Sequence, residues 1–412
     1  MNRWLLTAFA VLFSAALCSA DQGGRLKAND VNVWIPGTSI SAPGDAGYMM
    51  HTNHMIYFGP NNAVEQLGPQ YSMVFGPSLF AANPSGYSPT QIKSAYGLPS
   101  TGGSGTICIV DAYNYPTALN DFNVFSGQYG LPKETSTNVT ASTNQHFQVV
   151  YGSGSKPAGN GGWNEEEALD IEWAHAMAPN AKIVLVEASS ASDAGLLQAE
   201  SVAASQSGCR EVSNSWGGGE FSGEHSDDSY FSHAGVVFFA SAGDTGGAQE
   251  WPAESPNVVG CGGTTLNLNS SGGRSSETAW ADSGGGPSSY ESIPSYQSVI
   301  SSIVGTHRGC PDIASDSNPS TGVAVYDSTN YEGYVGWLVF GGTSVASPTL
   351  AGVANLADRN EGSSLNELNL VYGGYKGAKY FDITSGSAGR FKAVVGWDYI
   401  TGVGSLIGDG GL

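Results

Sequence analysis

Between residues 106 and 261 the chain repeats one pattern, in which short, almost wholly apolar runs are separated by helical stretches. The runs are 106–110 (Thr-Ile-Cys-Ile-Val), 182–187 (Lys-Ile-Val-Leu-Val-Glu), 211–216, 236–242 and 257–261 (Asn-Val-Val-Gly-Cys). A strand that is apolar on both faces must be covered on both, and strands that alternate with helices pair in parallel through crossover connections. Helices are expected at 89–96, 117–129 and 191–206. The predicted fold is therefore α/β, with a mostly parallel central sheet and helices on both faces. In such a sheet chemistry collects at the carboxyl ends of the strands.

Composition narrows the function classes. The 58 glycines among 412 residues argue against a helical bundle, and 40% hydrophobic residues argue against disorder. With 36 acidic and 15 basic residues the net charge is −21. That excludes nucleic acid as a default partner, because neutralising phosphates needs clustered Lys and Arg. A sparsely charged, acidic surface suits an exported protein working in an acid medium. Asn2 and Arg3 precede an apolar run, 4–17, and then Cys18-Ser19-Ala20, which reads as a secretory signal over 1–20. The run is short for a membrane span, and no later apolar stretch approaches 18 residues, so no membrane association is expected after signal removal. Residues 21–87 lack a sustained period and read as a leader or short propeptide with little structure of its own. The remaining 88–412 form the main domain.

Removing the signal leaves Cys108, Cys209, Cys261 and Cys310, which permit three pairings and are not spaced as metal ligands. Cys108 reads as a buried small hydrophobe, and Cys261 with Cys310 is a candidate bridge in an oxidising compartment. Asn138 and Asn269 stand in glycosylation sequons that matter only if the host glycosylates.

Four places carry residues capable of chemistry. In 163–179, Asn164 is the expected N-cap of a helix closed before Pro179, and Glu167 can complete a capping box. Glu166 is then free, with Asp170 four residues on and on the same face. Acids in a first turn complement the helix dipole, which accounts for 165–167. It does not account for Asp170, set among Ala168, Leu169, Ile171 and Trp173. A carboxyl in that setting needs a partner, and paired carboxyls have separated pKa values suited to acid–base work. The second place is Phe340-Gly-Gly-Thr-Ser344, ahead of a helix over 349–357, where Ser344 is either a cap or a nucleophile favoured by the helix dipole. Third, Asp244 follows an apolar strand in Ala-Gly-Asp-Thr-Gly-Gly, a common turn acid that nevertheless sits at a strand's carboxyl end. Fourth, Asp382 and Asp398 with intervening carbonyls could supply hard oxygen ligands.

The order Glu-x-x-Leu-Asp, Ser-x-Ser-Trp-Gly, Ala-Gly-Asp, Gly-Gly-Thr-Ser and Gly-Trp-Asp resembles the sedolisins, serine-carboxyl peptidases with a subtilisin-like fold, over residues 88–408. The resemblance implies Ser344 as nucleophile, Glu166 as its general base, Asp170 as the acid orienting Glu166, and Asp244 as oxyanion donor. It also implies one structural calcium ion held by Asp382, Asp398 and the carbonyls of Ile383, Val394 and Gly396. Val394 replaces a glycine of the family pattern, at little cost if only its carbonyl is used. Asp111 stands where some members carry a glutamate that extends the acid chain, and Trp216 matches a tryptophan of that network. Members usually carry a long folded prodomain, whereas here only 21–87 is available.

The expected activity is secreted, acid-acting serine-type hydrolysis of protein or peptide substrates by a monomer, of the endopeptidase type. An oxyanion donor that is a carboxyl must be protonated, so activity should fall towards neutrality. An ordinary subtilisin would need a His-Gly segment, yet none of the seven histidines precedes glycine. His175, on the acidic helix, reads as structural. The competing class is a secreted calcium-stabilised binding protein of the same fold without catalysis; the four intact carboxyl and hydroxyl residues argue against it.

Overall fold

The computed structural model describes residues 23–28, 30–59, 83–359 and 361–412. The expected signal segment lies outside them. Seven α-helices are described: α1 (Pro89–Tyr96), α2 (Ala118–Tyr129), α3 (Gly161–Met177), α4 (Asp193–Ala204), α5 (Ser301–Val304), α6 (Thr343–Leu356) and α7 (Ser364–Gly373). None of the described helices is long and apolar enough to cross a membrane.

The central sheet has eight strands, in the order Arg274–Ala279, Val259–Leu268, Val237–Ser241, Cys209–Asn214, Thr106–Ala112, Lys182–Ala188 and Phe147–Tyr151, with Ile313–Asp316 pairing alongside Val259–Leu268. Every pairing is parallel except that of Arg274–Ala279. Successive side chains of a strand point to opposite faces. Ile107, Ile109, Ile183 and Leu185 accordingly join α2, α3 and α6 in one core, while Cys108, Val110, Val184 and Val186 join α4 in the other. Both faces are covered, as the continuous apolar runs require.

The candidate Cys261–Cys310 bridge is absent, and all four described cysteines are free. The same alternation explains it. Cys261 belongs to the core beneath α6, whereas Cys310 belongs to the opposite core, its sulfur lying over Gly260.

Within 21–87, the described residues 23–28 and 30–59 are more ordered than expected, because their strands are completed by partners elsewhere in the chain. Arg25–Lys27, Asp30–Ile35 and Met55–Tyr57 extend an antiparallel sheet built on the hairpin of Tyr334–Gly341 and Val323–Tyr331. His51–Thr52 pairs antiparallel with Trp216–Gly219.

Candidate active site

Three adjacent parallel strands deliver Asp111, Ser215 and Asp244 to one end of the sheet: Asp111 is next to last in its strand, and the other two residues follow theirs. Two helices that cross this end from the same face supply the rest, α3 carrying Glu166 and Asp170 and α6 opening with Thr343 and Ser344. Close approach of the helices is set by Gly352, where a β-carbon would fall 2.6 Å from Met177 Cβ.

Helix α3 begins a turn earlier than the sequence suggests. Its N-cap is Asn160, whose Oδ1 accepts from the N–H groups of Gly162 and Trp163, and no acid lies in the first turn. The capping box of Asn164 and Glu167 is therefore not formed, and the dipole does not explain 165–167, which are all buried. Helix α6 also begins earlier than the expected 349, at Thr343. Pro348 consequently sits inside the helix rather than in its first turn. A helical proline removes the N–H that would bond the carbonyl four residues back, here that of Ser344. That carbonyl instead lies 3.2 Å from the Ser215 hydroxyl.

The Ser344 Oγ donates to Glu166 Oε2 at 2.9 Å, and both residues are fully buried. The Ser215 hydroxyl donates to Asp170 Oδ1 at 2.7 Å. Glu166 Oε1, Asp170 Oδ2 and both Asp111 oxygens are buried without a hydrogen-bond partner. Burial pushes the Glu166 carboxyl well above the ordinary range, against the hydrogen bonds from Ser344 and Asn53. Asp170 is likewise raised, first by burial and then by the nearby Glu166 charge. Asp111 is raised by burial and by Asp170 and Glu166. Unpartnered carboxyl oxygens in a common low-dielectric site hold protons in common, since ionising all of them would leave buried like charges unpaired. The Trp216 indole donates to the carbonyl of Val110, beside Asp111.

Asp244 divides its two oxygens. Oδ1 accepts from the Thr343 N–H at 2.7 Å and the Thr343 hydroxyl at 2.9 Å, while Oδ2 has no partner. Burial raises this carboxyl well above its ordinary range, so it tends to carry a proton. Gly342, the α6 N-cap at φ +103°, makes the space in front of it. A β-carbon there would lie 2.2 Å from the Asn53 carbonyl oxygen and 2.5 Å from Asp244 Oδ2. The unpartnered oxygen and the Asn53 carbonyl thus border the same space at Gly342.

The structure brings Glu166, Asp170, Asp244 and Ser344 into one buried group. His175 is not part of it: its Nε2 meets the Pro132 carbonyl at 2.9 Å and its ring packs on Phe122, with burial pushing its pKa down to about 3. Sequence reasoning missed three contributors. Ser215 was visible only as part of the Ser-x-Ser-Trp motif. Asn53 and His54 carry no local signal beyond the apolar run 55–58 that marks the following strand.

Backbone hydrogen bonds link four of the expected calcium ligands in two pairs. The Gly396 N–H donates to both Asp382 oxygens, and the Val394 N–H to Asp398 Oδ2 at 3.2 Å. Among the described residues the carbonyls of Ile383, Val394 and Gly396 accept no hydrogen bond. Two carboxylates with three free carbonyls are a hard oxygen donor set, which fits calcium.

Fold and site together define a class, an α/β protein in which a serine at a helix start faces buried carboxyls where other such sites use histidine. No family model matches the chain. It is similar to sedolisin of Pseudomonas sp. (strain 101), 30% identical over an alignment 371 positions long that covers 80% of this chain and 61% of that protein. It is also similar to kumamolisin of Bacillus sp. (strain MN-32), 32% identical over an alignment 370 positions long that covers 80% of this chain and 63% of that protein. The chain thus spans about three fifths of the length of these curated relatives. Among solved structures, Pseudomonas sedolisin, a serine-carboxyl proteinase complexed with two molecules of pseudo-iodotyrostatin, superposes with a TM-score of 0.65 at 28% identity. That match covers 79% of this chain and 96% of that one. The chain thus resembles the sedolisins in sequence, and its fold is the subtilisin-like α/β fold seen in Pseudomonas sedolisin.

Proposed function

We propose that this protein is a secreted, acid-acting serine-type peptidase that hydrolyses protein or peptide substrates as a monomer, with residues 21–87 acting as a short propeptide. The observation that carries the reading is the buried contact of Ser344 Oγ with Glu166 Oε2, set beside an unpartnered carboxyl oxygen on Asp244.

A serine hydroxyl becomes nucleophilic when a base takes its proton as it attacks. Glu166, ionised, accepts that proton. Asp170, protonated, donates to Glu166 and holds it in place, supplying the hydrogen bond that Glu166 Oε1 and Asp170 Oδ2 both lack. The Ser215 hydroxyl fixes the other Asp170 oxygen. As the tetrahedral intermediate forms, its oxyanion receives the Ser344 N–H and the Asp244 Oδ2 proton. Glu166 then passes its proton to the leaving amine. A water deprotonated by Glu166 hydrolyses the acyl-enzyme and restores Ser344.

Asp382, Asp398 and the carbonyls of Ile383, Val394 and Gly396 would hold one calcium ion. When bound, the ion offsets two carboxylate charges and ties together two C-terminal loops. The test is casein hydrolysis over pH 2 to 8 by wild type and Glu166→Gln. An acid optimum abolished by the substitution supports the reading, and no hydrolysis by folded, trimmed protein overturns it.

A further inference from the structure

The leader crosses the site as a substrate would. His51 and Thr52 pair antiparallel with Gly217 and Trp216, and the Asn53 N–H continues the ladder to the Ser215 carbonyl at 3.3 Å. The Asn53 carbonyl then accepts from the Ser344 N–H at 3.0 Å, and Asp244 Oδ2 borders the same space at Gly342. Beyond that carbonyl, Met55 and Ile56 pair antiparallel with Gly341 and Phe340, on the strand that leads into the nucleophile helix. A chain held by β-pairing on both sides of a serine, with one carbonyl in the oxyanion position, has the geometry of a bound peptide substrate.

The flanking side chains are read as well. Asn53 Nδ2 donates to Ser241 Oγ at 2.9 Å and to Glu250 Oε2 at 3.1 Å. Glu250 also faces the His51 imidazole at 3.8 Å. His54 lies between two acids, Nδ1 at 2.9 Å from Glu166 Oε2 and Nε2 at 3.3 Å from Glu165 Oε2. One side of the bond thus presents an acceptor pocket and the other a pair of carboxyl groups.

We propose that Asn53–His54 is a bond this chain cuts in itself, and that Ser241 with Glu250 and Glu165 select substrates carrying a hydrogen-bond donor side chain before the cut and an imidazole or cationic side chain after it. The proposal rests on the peptidase reading above. Ser344 Oγ bonds the Asn53 carbonyl carbon and its proton goes to Glu166. The bond to the His54 nitrogen breaks as Glu166 returns the proton to that nitrogen, leaving His54 as a new amino terminus. One water then hydrolyses the Asn53 ester to a carboxylate and frees Ser344. Replacing one acceptor oxygen of the Asn53 pocket by an amide weakens the hydrogen bond it receives from Asn53 Nδ2, so Glu250→Gln should lower selectivity for Asn over Leu before the cut by about tenfold.

The experiment follows the full-length chain by intact mass and N-terminal sequencing after acidification, at several protein concentrations, with casein hydrolysis measured in parallel. The synthetic peptide Met-Met-His-Thr-Asn-His-Met-Ile-Tyr-Phe and its Leu-for-Asn analogue are assayed in trans with wild type and Glu250→Gln. Expected are a terminus at His54 in wild type, formed at a concentration-independent rate and absent in Ser344→Ala, and peptide products that divide between Asn and His. Casein hydrolysis with the Asn53–His54 bond intact in the chain and the peptide overturns the proposal and leaves the peptidase reading standing. If neither casein nor the peptide is cut, both fall. Should Ser344→Ala not fold, the peptide products and the Glu250→Gln selectivity still decide.

Discussion

Ser344 Oγ and Glu166 Oε2 stand 2.9 Å apart although 178 residues separate them in the chain, and the same carboxylate oxygen is met by the Asn53 N–H and by His54 Nδ1. A base so crowded can accept the serine proton only through its charge. Glu166→Gln keeps the size and a hydrogen-bonding oxygen but has no basicity. Peptide hydrolysis should fall by about 10²- to 10⁴-fold at every pH, the usual loss for a positioned base. The thermal unfolding midpoint in acid should change little. A variant retaining most of its activity would remove Glu166 from the role of base.

Asp244 allows a sharper test because its two oxygens do different things. Oδ1 accepts twice from Thr343, and Oδ2 is the unpartnered atom. An asparagine amide can reproduce this, its oxygen facing Thr343 and its NH₂ facing the oxyanion. Asp244→Asn should therefore keep substantial activity in acid. Its decline towards neutrality should begin at a higher pH than in wild type, because the amide donates without needing a proton. Asp244→Ala should lose about 10²- to 10³-fold, the usual cost of one oxyanion donor. Equal losses in Asn and Ala would show that the side chain acts by packing alone.

Asp398 tests the C-terminal site. Its oxygens accept from the N–H groups of Val394, Ile400 and Thr401. If calcium binds there, a chelator should lower the unfolding temperature, and at calcium about a hundredfold above Kd binding adds about 2.7 kcal/mol of stability. Asp382→Asn should abolish the calcium-dependent shift. A melting temperature indifferent to chelator would remove calcium from the site.

The alternation of apolar runs and helices was legible because a parallel sheet covered on both faces writes its strands as continuous hydrophobic text. Ser344 and the Glu166–Asp170 pair were legible for local reasons, glycines before a helix and an i, i+4 spacing. The start of α3 was not. Asn160-Gly-Gly reads as a loop on helix propensity, yet β-carbons at Gly161 and Gly162 would meet Tyr331 and Thr38 at 2.6 Å, so tertiary packing selects glycine there. The leader was illegible for a related reason. Thr52 and Asn53 pair with Trp216 and Ser215, and Met55 pairs with Gly341, so nothing periodic within 21–87 announces those strands.

The buried acids outside the catalytic group make the last prediction, on stability. Burial pushes Asp193 and Asp228 up to about 6, Glu165, Glu187 and Glu367 to about 7, and Glu211 and Asp327 to about 8. In the unfolded chain these carboxyls titrate near ~4. The folded state therefore binds more protons than the unfolded one across the interval between, and stability falls wherever that holds as pH rises. Their contribution should be complete below about pH 4 and lost progressively as pH climbs through about 6 to 8. The net charge of −21 adds self-repulsion in the same direction near neutrality. Urea or thermal midpoints measured from pH 3 to 9 should be highest at the acid end. Asp327→Asn, which stays neutral throughout, should lessen the loss at the alkaline end; a profile rising from pH 4 to 8 would mean that these carboxyls are ionised and well paired in the fold.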